Sequence, residues 1–70
     1  MISFDKGIYL KDAVIQGCHD YKNIATICYK ETSEQIFCEI MCSHNELEQI
    51  ENEFGNYVLD LSVMMGGTDN

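Results

Sequence analysis

The last third of the chain carries the pattern that most constrains its fold, a row of apolar residues spaced three and four positions apart. This spacing repeats once per helical turn, so it predicts one long amphipathic helix that must bury a stripe against other elements. The residues of the row are Leu47, Ile50, Phe54, Tyr57, Val58, Leu61, Met64 and Met65.

Residues that favour helix ends flank this predicted helix. Ser43 stands three residues before Glu46, which is the capping-box spacing in which each side chain satisfies the backbone N–H of the other residue. Asn45 and Glu48 repeat that spacing two residues later. Gly66-Gly67 follows the last apolar position and is typical of a helix end. We therefore expect the helix to begin close to these cap residues and to end at the two glycines.

The middle of the chain has the pattern of a β-hairpin. Residues 24–30 and 35–42 are rich in β-branched and aromatic side chains, and they flank a polar connection at residues 31–34. Successive side chains of a strand point to opposite faces of the sheet, so half of these residues should face the core. The expected core-facing set is Ala25, Ile27 and Tyr29 in the first strand and Ile36, Cys38, Ile40 and Cys42 in the second.

The first third of the chain predicts one strand and one helix. Residues 2–10 are apolar at alternate places but are interrupted by Asp-Lys-Gly, which favours a short strand or two extended fragments. In residues 11–22 the spacing of Val14, Cys18 and Tyr21 fits one face of a three-turn helix.

The predicted order of elements is therefore β-α-β-β-α. This order favours an α+β domain in which a small antiparallel sheet carries two helices on one face. We expect a single domain over residues 1–67, with residues 68–70 as a flexible tail. Gly17 lies inside the first helix, where glycine costs about 1 kcal/mol relative to alanine, so it indicates close packing against a neighbour.

The hairpin face that points away from the predicted core is more apolar than a solvated surface requires. Cys28 of the first strand shares it with Phe37, Glu39 and Met41 of the second. A continuous apolar patch on a small protein often marks a contact surface. These four residues are therefore the first candidates for binding a partner.

The charge of the chain restricts the class of partner. Four lysines, no arginine and twelve acidic residues give a net charge of −8, which is the opposite of what phosphate backbones attract, so we expect no nucleic acid. The acidity lies mainly in the second half, which has no basic residue. Glu48 and Glu51, in the first turns of the last helix, are candidates for meeting a basic partner, although a solvated face favoured by the helix dipole is the preferred explanation of these glutamates.

Size and the start of the chain set further expectations. A domain of 70 residues buries only about 60% of its unfolded surface, so a deep pocket is not expected, and its size leaves a homodimer open. Residues 1–17 lack the basic and continuous apolar regions of a signal peptide, and no stretch approaches about 18 apolar residues. A cytoplasmic location without membrane contact is therefore expected.

Four cysteines in so short a chain raise the question of a metal. Cys18, His19, Cys42 and His44 are the set that could be tested as ligands, but paired C-x₂-C knuckles are absent. On one strand, positions 38 and 42 would lie ~13 Å apart, too far for a shared metal or a disulfide. We expect reduced cysteines that act as small hydrophobic residues, with no metal and no cofactor.

Thiol catalysis would need a cysteine beside a base. Cys42 with His44, at the start of the last helix, is the pair with that character. A third group to orient the histidine and an oxyanion motif cannot be named. We therefore expect no catalytic residues.

Two stretches together resemble the small HxsD-like proteins. The opening SFDKGIYLKDAVIQGCHDY is similar to the start of that family, in which an I/V-Tyr step leads into a helix that ends in a tyrosine. The last helix is similar to the family's acidic-aromatic step, although the arginine of its stricter form is absent. The matching residues of that helix are Glu53, Phe54, Tyr57 and Leu59.

The resemblance implies an accessory protein of the His-Xaa-Ser system, found alongside radical-SAM enzymes that modify peptides. Its implied role is to deliver, recognise or stabilise a precursor peptide or the maturase. The expected function is therefore non-catalytic binding of a protein or peptide. The alternatives are a structural homodimer that buries Phe37 and Met41 between subunits, or a small metal or thiol protein.

Overall fold

The computed structural model describes residues 1–42 and 46–66. The strands are β1 (Ile2–Asp5), β2 (Thr26–Glu31) and β3 (Gln35–Met41), and the helices are α1 (Lys11–Asp20) and α2 (Leu47–Gly66). The predicted α+β class and the order β-α-β-β-α are confirmed. The expected cap residues Ser43 and Asn45, His44 and residues 67–70 lie outside the described residues.

The three strands form one antiparallel sheet in the order β1-β3-β2. β2 and β3 are the two arms of the predicted hairpin, and β1 adds to the other side of β3. The turn between β2 and β3 is held by Thr32, whose backbone N–H donates to the Gln35 carbonyl at 2.8 Å and whose hydroxyl accepts from the Gln35 N–H at 3.0 Å. β3 is therefore the central strand.

The register of the sheet decides which side chains share a face. Phe4 of β1 pairs with Ile36 of β3, and Ile27 of β2 pairs with Ile40. These residues point to the side on which both helices lie, because they belong to the same core as residues of α1 and α2. The core consists of Phe4, Ala13, Val14, Ala25, Ile36, Cys38, Ile40, Ile50, Phe54 and Val58. The predicted placement of two helices on one face of the sheet is confirmed.

Phe54 of α2 occupies the centre of this core. Its ring meets Phe4 edge-on with the centroids 5.8 Å apart, and it meets Tyr21 at 5.3 Å in the same manner. Such edge-to-face pairs contribute about 0.5–1.5 kcal/mol beyond the area that they bury. One side chain of α2 therefore links β1 to the residue that follows α1.

α1 and α2 approach each other closely at Gly17. A Cβ atom at this position would lie 2.9 Å from Cγ2 of Val58 and 3.2 Å from Cε1 of Phe54. The close packing that Gly17 predicted from the sequence is therefore present. At the start of α1, the Leu10 N–H donates to Oγ of the buried Ser62 at 3.1 Å.

Some predicted core positions are exposed. Tyr29 has the parity of the core face but is 42% exposed, because it lies on an edge strand where the helices do not cover it. Leu47, Met64 and Met65 belong to the predicted stripe of α2 and are also exposed. With 20 residues α2 is about 30 Å long, whereas a strand of 7 residues spans about 23 Å, so the ends of the helix extend past the sheet.

Neither of the two described helices is a candidate for spanning a membrane. Within the described residues, neither α1 nor α2 combines the length and apolar character that a membrane span requires.

Candidate functional site

The sheet surface that faces away from the helices is not part of the core. β3 alternates strictly, so that Phe37, Glu39 and Met41 point to this side. Phe37 is half-buried and Met41 is 51% exposed. Of the six residues proposed from the sequence, Cys28, Phe37, Glu39 and Met41 do share this surface.

The cross-strand neighbours define the rest of this surface. Phe37 is flanked by Lys30 on β2 and by Ser3 on β1, Cys28 is opposite Glu39, and Thr26 is opposite Met41. In the part of the chain that the structure describes, no element covers these side chains. We call the surface formed by Ser3, Thr26, Cys28, Lys30, Phe37, Glu39 and Met41 the open face.

A depression of about 160 Å³ lies on the open face beside β2. Pockets for drug-sized ligands are about 300–1,000 Å³, so this depression fits one side chain of a partner better than a small molecule. Its lining combines two aromatic residues, a thioether, a thiol and one charge of each sign. It is lined by Met1, Cys28, Tyr29, Lys30, Phe37 and Glu39.

A wider, open depression of about 480 Å³ lies at the end of the sheet where β2 begins. Met41 borders it, so it continues the open face toward the connection after α1. Residues 43–45, which follow Cys42 in the chain, are outside the described residues. Its lining residues are Lys22, Asn23, Ile24, Ala25, Thr26, Met41 and Cys42.

The outer edge of β2 is the second notable feature of this region. β2 pairs with β3 alone among the described strands, so its other edge presents backbone N–H and C=O groups without a strand partner. Five of its six residues are exposed. A flat exposed edge of this kind is a template for pairing with another chain.

Glu48 and Glu51, the other two residues proposed from the sequence, lie on α2 and therefore on the opposite side of the sheet. Glu48 is exposed in the first turn, whereas Oε2 of Glu51 pairs with the amino group of Met1 at 3.1 Å. The structure thus divides the proposed set into four residues on the open face and two on α2.

A second uncovered apolar region lies at the carboxyl end of α2. Leu59 and Val63 stand four residues apart on a side of the helix that does not face the core, and Met64 is 74% exposed. Ile8 and Leu10, in the connection before α1, are exposed as well. The sequence contained a signal for part of this region, because Leu59 and Val63 lie off the core stripe at a spacing of four.

Two cysteines that the sequence did not pair meet inside the molecule. The thiol of Cys18, on α1, lies beside the thiol of Cys38, on β3, within one core. The neighbouring Cys38 thiol lowers the pKa of Cys18, whereas the same contact and burial raise the pKa of Cys38. Helix and strand spacing alone cannot reveal such a contact, because it joins two separate elements.

The four residues considered as metal ligands are not all among the described residues, since His44 lies outside them. Within residues 1–42 and 46–66, no group of three or more His, Cys, Asp and Glu side chains is positioned to hold a metal ion. Cys42 is half-buried at the end of β3, and its proposed partner His44 lies outside the described residues. The hypothesis of a Cys42–His44 pair therefore stays a hypothesis from the sequence.

Comparison with known proteins found no relative of this chain. No protein-family model, no curated protein and no solved structure matches this chain. The function of this chain therefore has to be inferred from its own residues and their geometry.

Proposed function

We propose that this chain is a non-catalytic, cytoplasmic binding protein that holds an extended segment of another protein or peptide against the open face and the outer edge of β2. One observation carries the proposal: the half-buried Phe37 and the 51% exposed Met41 lie on the central strand, on a face that no described element covers, beside an edge strand that has no second partner among the described residues. Uncovered apolar side chains next to an unpaired edge are what strand addition uses.

The edge of β2 supplies the affinity in this proposal. β2 has 6 residues and is about 20 Å long, which is enough for a partner strand to form several backbone hydrogen bonds. Backbone pairing does not select a sequence, because every residue except proline presents the same groups. It therefore accounts for binding but not for specificity.

The depression on the open face supplies the specificity. Alternate side chains of an added strand point to the same side of the sheet as Cys28 and Lys30. One of them can enter the space of about 160 Å³ beside Phe37. An aliphatic or aromatic side chain fits this space best, since the ring of Phe37 forms part of its wall.

The charge of the protein favours a basic partner. With a net charge of −8, the molecule attracts positively charged segments over a distance and repels acidic ones. Glu39 on the open face is exposed and provides a local acceptor for a lysine or arginine of the partner. The glutamates of α2 contribute to the long-range field and not to the contact.

The resemblance to the HxsD-like proteins directs the proposal to one biological setting. In that setting the bound segment belongs to a precursor peptide, or to the radical-SAM maturase that modifies it. A gene for such an enzyme beside the gene for this chain would support the setting, and the precursor peptide encoded there is the first partner to test.

Titration of the isotopically labelled protein with this peptide tests the proposal by NMR. We expect saturable shifts in β2 and on the open face that weaken as salt is added. Met41→Glu should weaken binding roughly tenfold or more, because it places a charge among the apolar contacts. Val63→Glu is the matched control, since Val63 is 54% exposed against 51% for Met41 and lies on α2.

Two results would contradict the proposal. The first is the absence of a saturable shift at millimolar peptide. The second is a loss of binding in Val63→Glu with Met41→Glu unaffected, which would move the contact to α2.

A structural homodimer is the second candidate, and one observation favours it. Lys30 and Glu39 both adjoin Phe37 on the open face, Lys30 across from it on β2 and Glu39 two residues along β3. In a two-fold dimer the same patch faces itself, so Lys30 of one copy can pair with Glu39 of the other around a shared apolar centre. Phe37→Glu should then convert a dimer to a monomer in light scattering. An unchanged dimer would exclude this interface, and a wild-type monomer at high concentration would exclude the candidate.

A further inference from the structure

The four cysteines occupy very different surroundings. Cys28 is exposed on the open face, and Cys42 is half-buried at the end of β3. Cys38 is 0% exposed in the core, and Cys18 is half-buried on α1, where it packs against that core. The two thiols are adjacent, so Cys18 and Cys38 form a dithiol pair.

The pair is asymmetric in a way that suits thiol–disulfide exchange. Cys18 is half-buried, whereas Cys38 is 0% exposed. The thiolate is the attacking species, and the neighbouring Cys38 thiol lowers the pKa of Cys18 and so favours its thiolate. Cys38 is thereby suited to react second, once the sulfur of Cys18 has become the target.

We propose that Cys18 and Cys38 form a redox modification site in which Cys18 attacks a small-molecule disulfide, such as oxidised glutathione, and Cys38 then closes an internal disulfide. The proposal rests on the contact between the two thiols and on the difference in their accessibility. It does not depend on the proposed binding function, because the pair lies on the helix side of the sheet and the open face lies on the other.

The exchange proceeds in two balanced steps. The Cys18 thiolate bonds to one sulfur of the small disulfide, the S–S bond of the reagent breaks, and the first small thiol leaves with the proton that Cys18 gave up. Cys38 then loses its proton and its sulfur bonds to that of Cys18, so the mixed disulfide breaks and the second small thiol leaves with that proton. The two cysteines are oxidised, and the reagent is reduced to two thiols.

The internal disulfide would join α1 covalently to the central strand. It closes the loop between residues 18 and 38, which restricts the unfolded chain and so stabilises the fold. For a chain of this size the thermal midpoint should rise on the order of 10 °C. Reduction with dithiothreitol should reverse the rise.

The experiment uses the full chain with Cys28→Ser and Cys42→Ser, so that Cys18 and Cys38 are the only thiols. After incubation with oxidised glutathione under native conditions, we expect the mass to fall by two hydrogen atoms. A digest should then show the peptides that contain Cys18 and Cys38 as one cross-linked species. The wild-type chain should give the same cross-link, with any glutathione adduct confined to Cys28 or Cys42.

Two further variants in this background separate the roles of the thiols. Cys38→Ala should accumulate a stable mixed disulfide of glutathione on Cys18, because no second thiol resolves it. Cys18→Ser should leave Cys38 unmodified in the folded protein but reactive in denaturant. Circular dichroism verifies that each variant is folded.

The experiment on the chain with Cys28→Ser and Cys42→Ser retains both thiols of the pair. Three of its outcomes would overturn the proposal. One is a persistent glutathione adduct on Cys18 without the cross-link. Another is the absence of any reaction in the folded protein while the denatured protein reacts. A cross-link between separate chains in place of the internal one would count equally against it.

Discussion

The two faces of β3 differ completely although they belong to one strand. Toward the helices, Ile36, Cys38 and Ile40 are all buried. Toward the other side, Phe37 is half-buried and Met41 is 51% exposed. The uncovered set also includes Glu39, but Phe37 and Met41 are as apolar as the covered residues, so hydrophobicity alone does not decide which side chain is buried. The difference arises because α1 and α2 pack on one side only, and burial in this domain therefore depends on what the helices cover.

The largest expected effect contrasts a covered side chain with an uncovered one. Phe54→Ala removes the ring at the centre of the core and should lower the free energy of unfolding by about 3–5 kcal/mol. Met41→Ala should change it by no more than about 0.5 kcal/mol, since the side chain is exposed. Chemical denaturation of both variants measures the contrast.

Comparable losses for the two variants would break the comparison of the faces. They would mean that the open face is itself packed in solution, as in a dimer. If Phe54→Ala does not fold, Phe54→Leu provides a milder core variant, and its loss should still exceed that of Met41→Ala.

A smaller effect is expected when a single methyl group is added where the two covering helices, α1 and α2, meet. Gly17→Ala places a Cβ 2.9 Å from Val58, so overpacking of about 1–3 kcal/mol should exceed the gain in helix propensity of about 1 kcal/mol. Gly55→Ala is the matched control on α2, because its Cβ would meet only Cδ1 of Ile2 at the ordinary distance of 3.4 Å.

We expect Gly17→Ala to lower the thermal midpoint and Gly55→Ala to raise it. The second substitution should increase the free energy of unfolding by about 0.5–1 kcal/mol. Opposite signs in differential scanning calorimetry would support the close contact of α1 with α2. A stabilising Gly17→Ala would show that the two helices can separate without cost.

The smallest effect is expected at Glu31, at the end of β2, where the helices no longer cover the sheet. Glu31 has the parity of the core face, but its partners are Nζ of Lys6 and Nζ of Lys11, each at 2.7 Å. Hydrogen bonds and charge from Lys11 and Lys6 lower the pKa of Glu31 from 4.5 to about 2. The ion pairs are exposed and therefore contribute little to stability.

The direction of the pH dependence follows from this shift. A carboxyl whose pKa is lower in the folded than in the unfolded chain stabilises the fold above pH 4.5, and this contribution is lost as the pH falls through about 2. The thermal midpoint of wild type should therefore lie slightly above that of Glu31→Gln near neutral pH, and the gap between the two midpoints should close in acid. A gap that widened in acid, or that did not shrink in high salt, would contradict the ion-pair account.

Much of the fold was predictable from local patterns. The spacing of Ile50, Phe54 and Val58 predicted α2, and the alternation of Ile36, Cys38 and Ile40 predicted the covered face of β3. These predictions succeeded because helix and strand periodicity is a property of consecutive residues. The same alternation placed Cys28, Phe37, Glu39 and Met41 together on the other face, whereas their role in binding stays a prediction.

Other features were not predictable from periodicity. Tyr29 has the pattern of a core residue but lies where the helices do not reach, and Met64 has the spacing of the buried stripe but lies past the sheet. Exposure at these positions depends on the relative lengths and positions of whole elements. Local spacing carries no information about either.

The sequence by itself determined the elements, their order and which side chains share a face, because backbone geometry sets those from neighbouring residues. Only the tertiary structure decided that β1 pairs with β3, that α1 meets α2 at Gly17, and that Cys18 meets Cys38. These contacts join segments far apart in the chain, and their free energy depends on packing of the complete molecule.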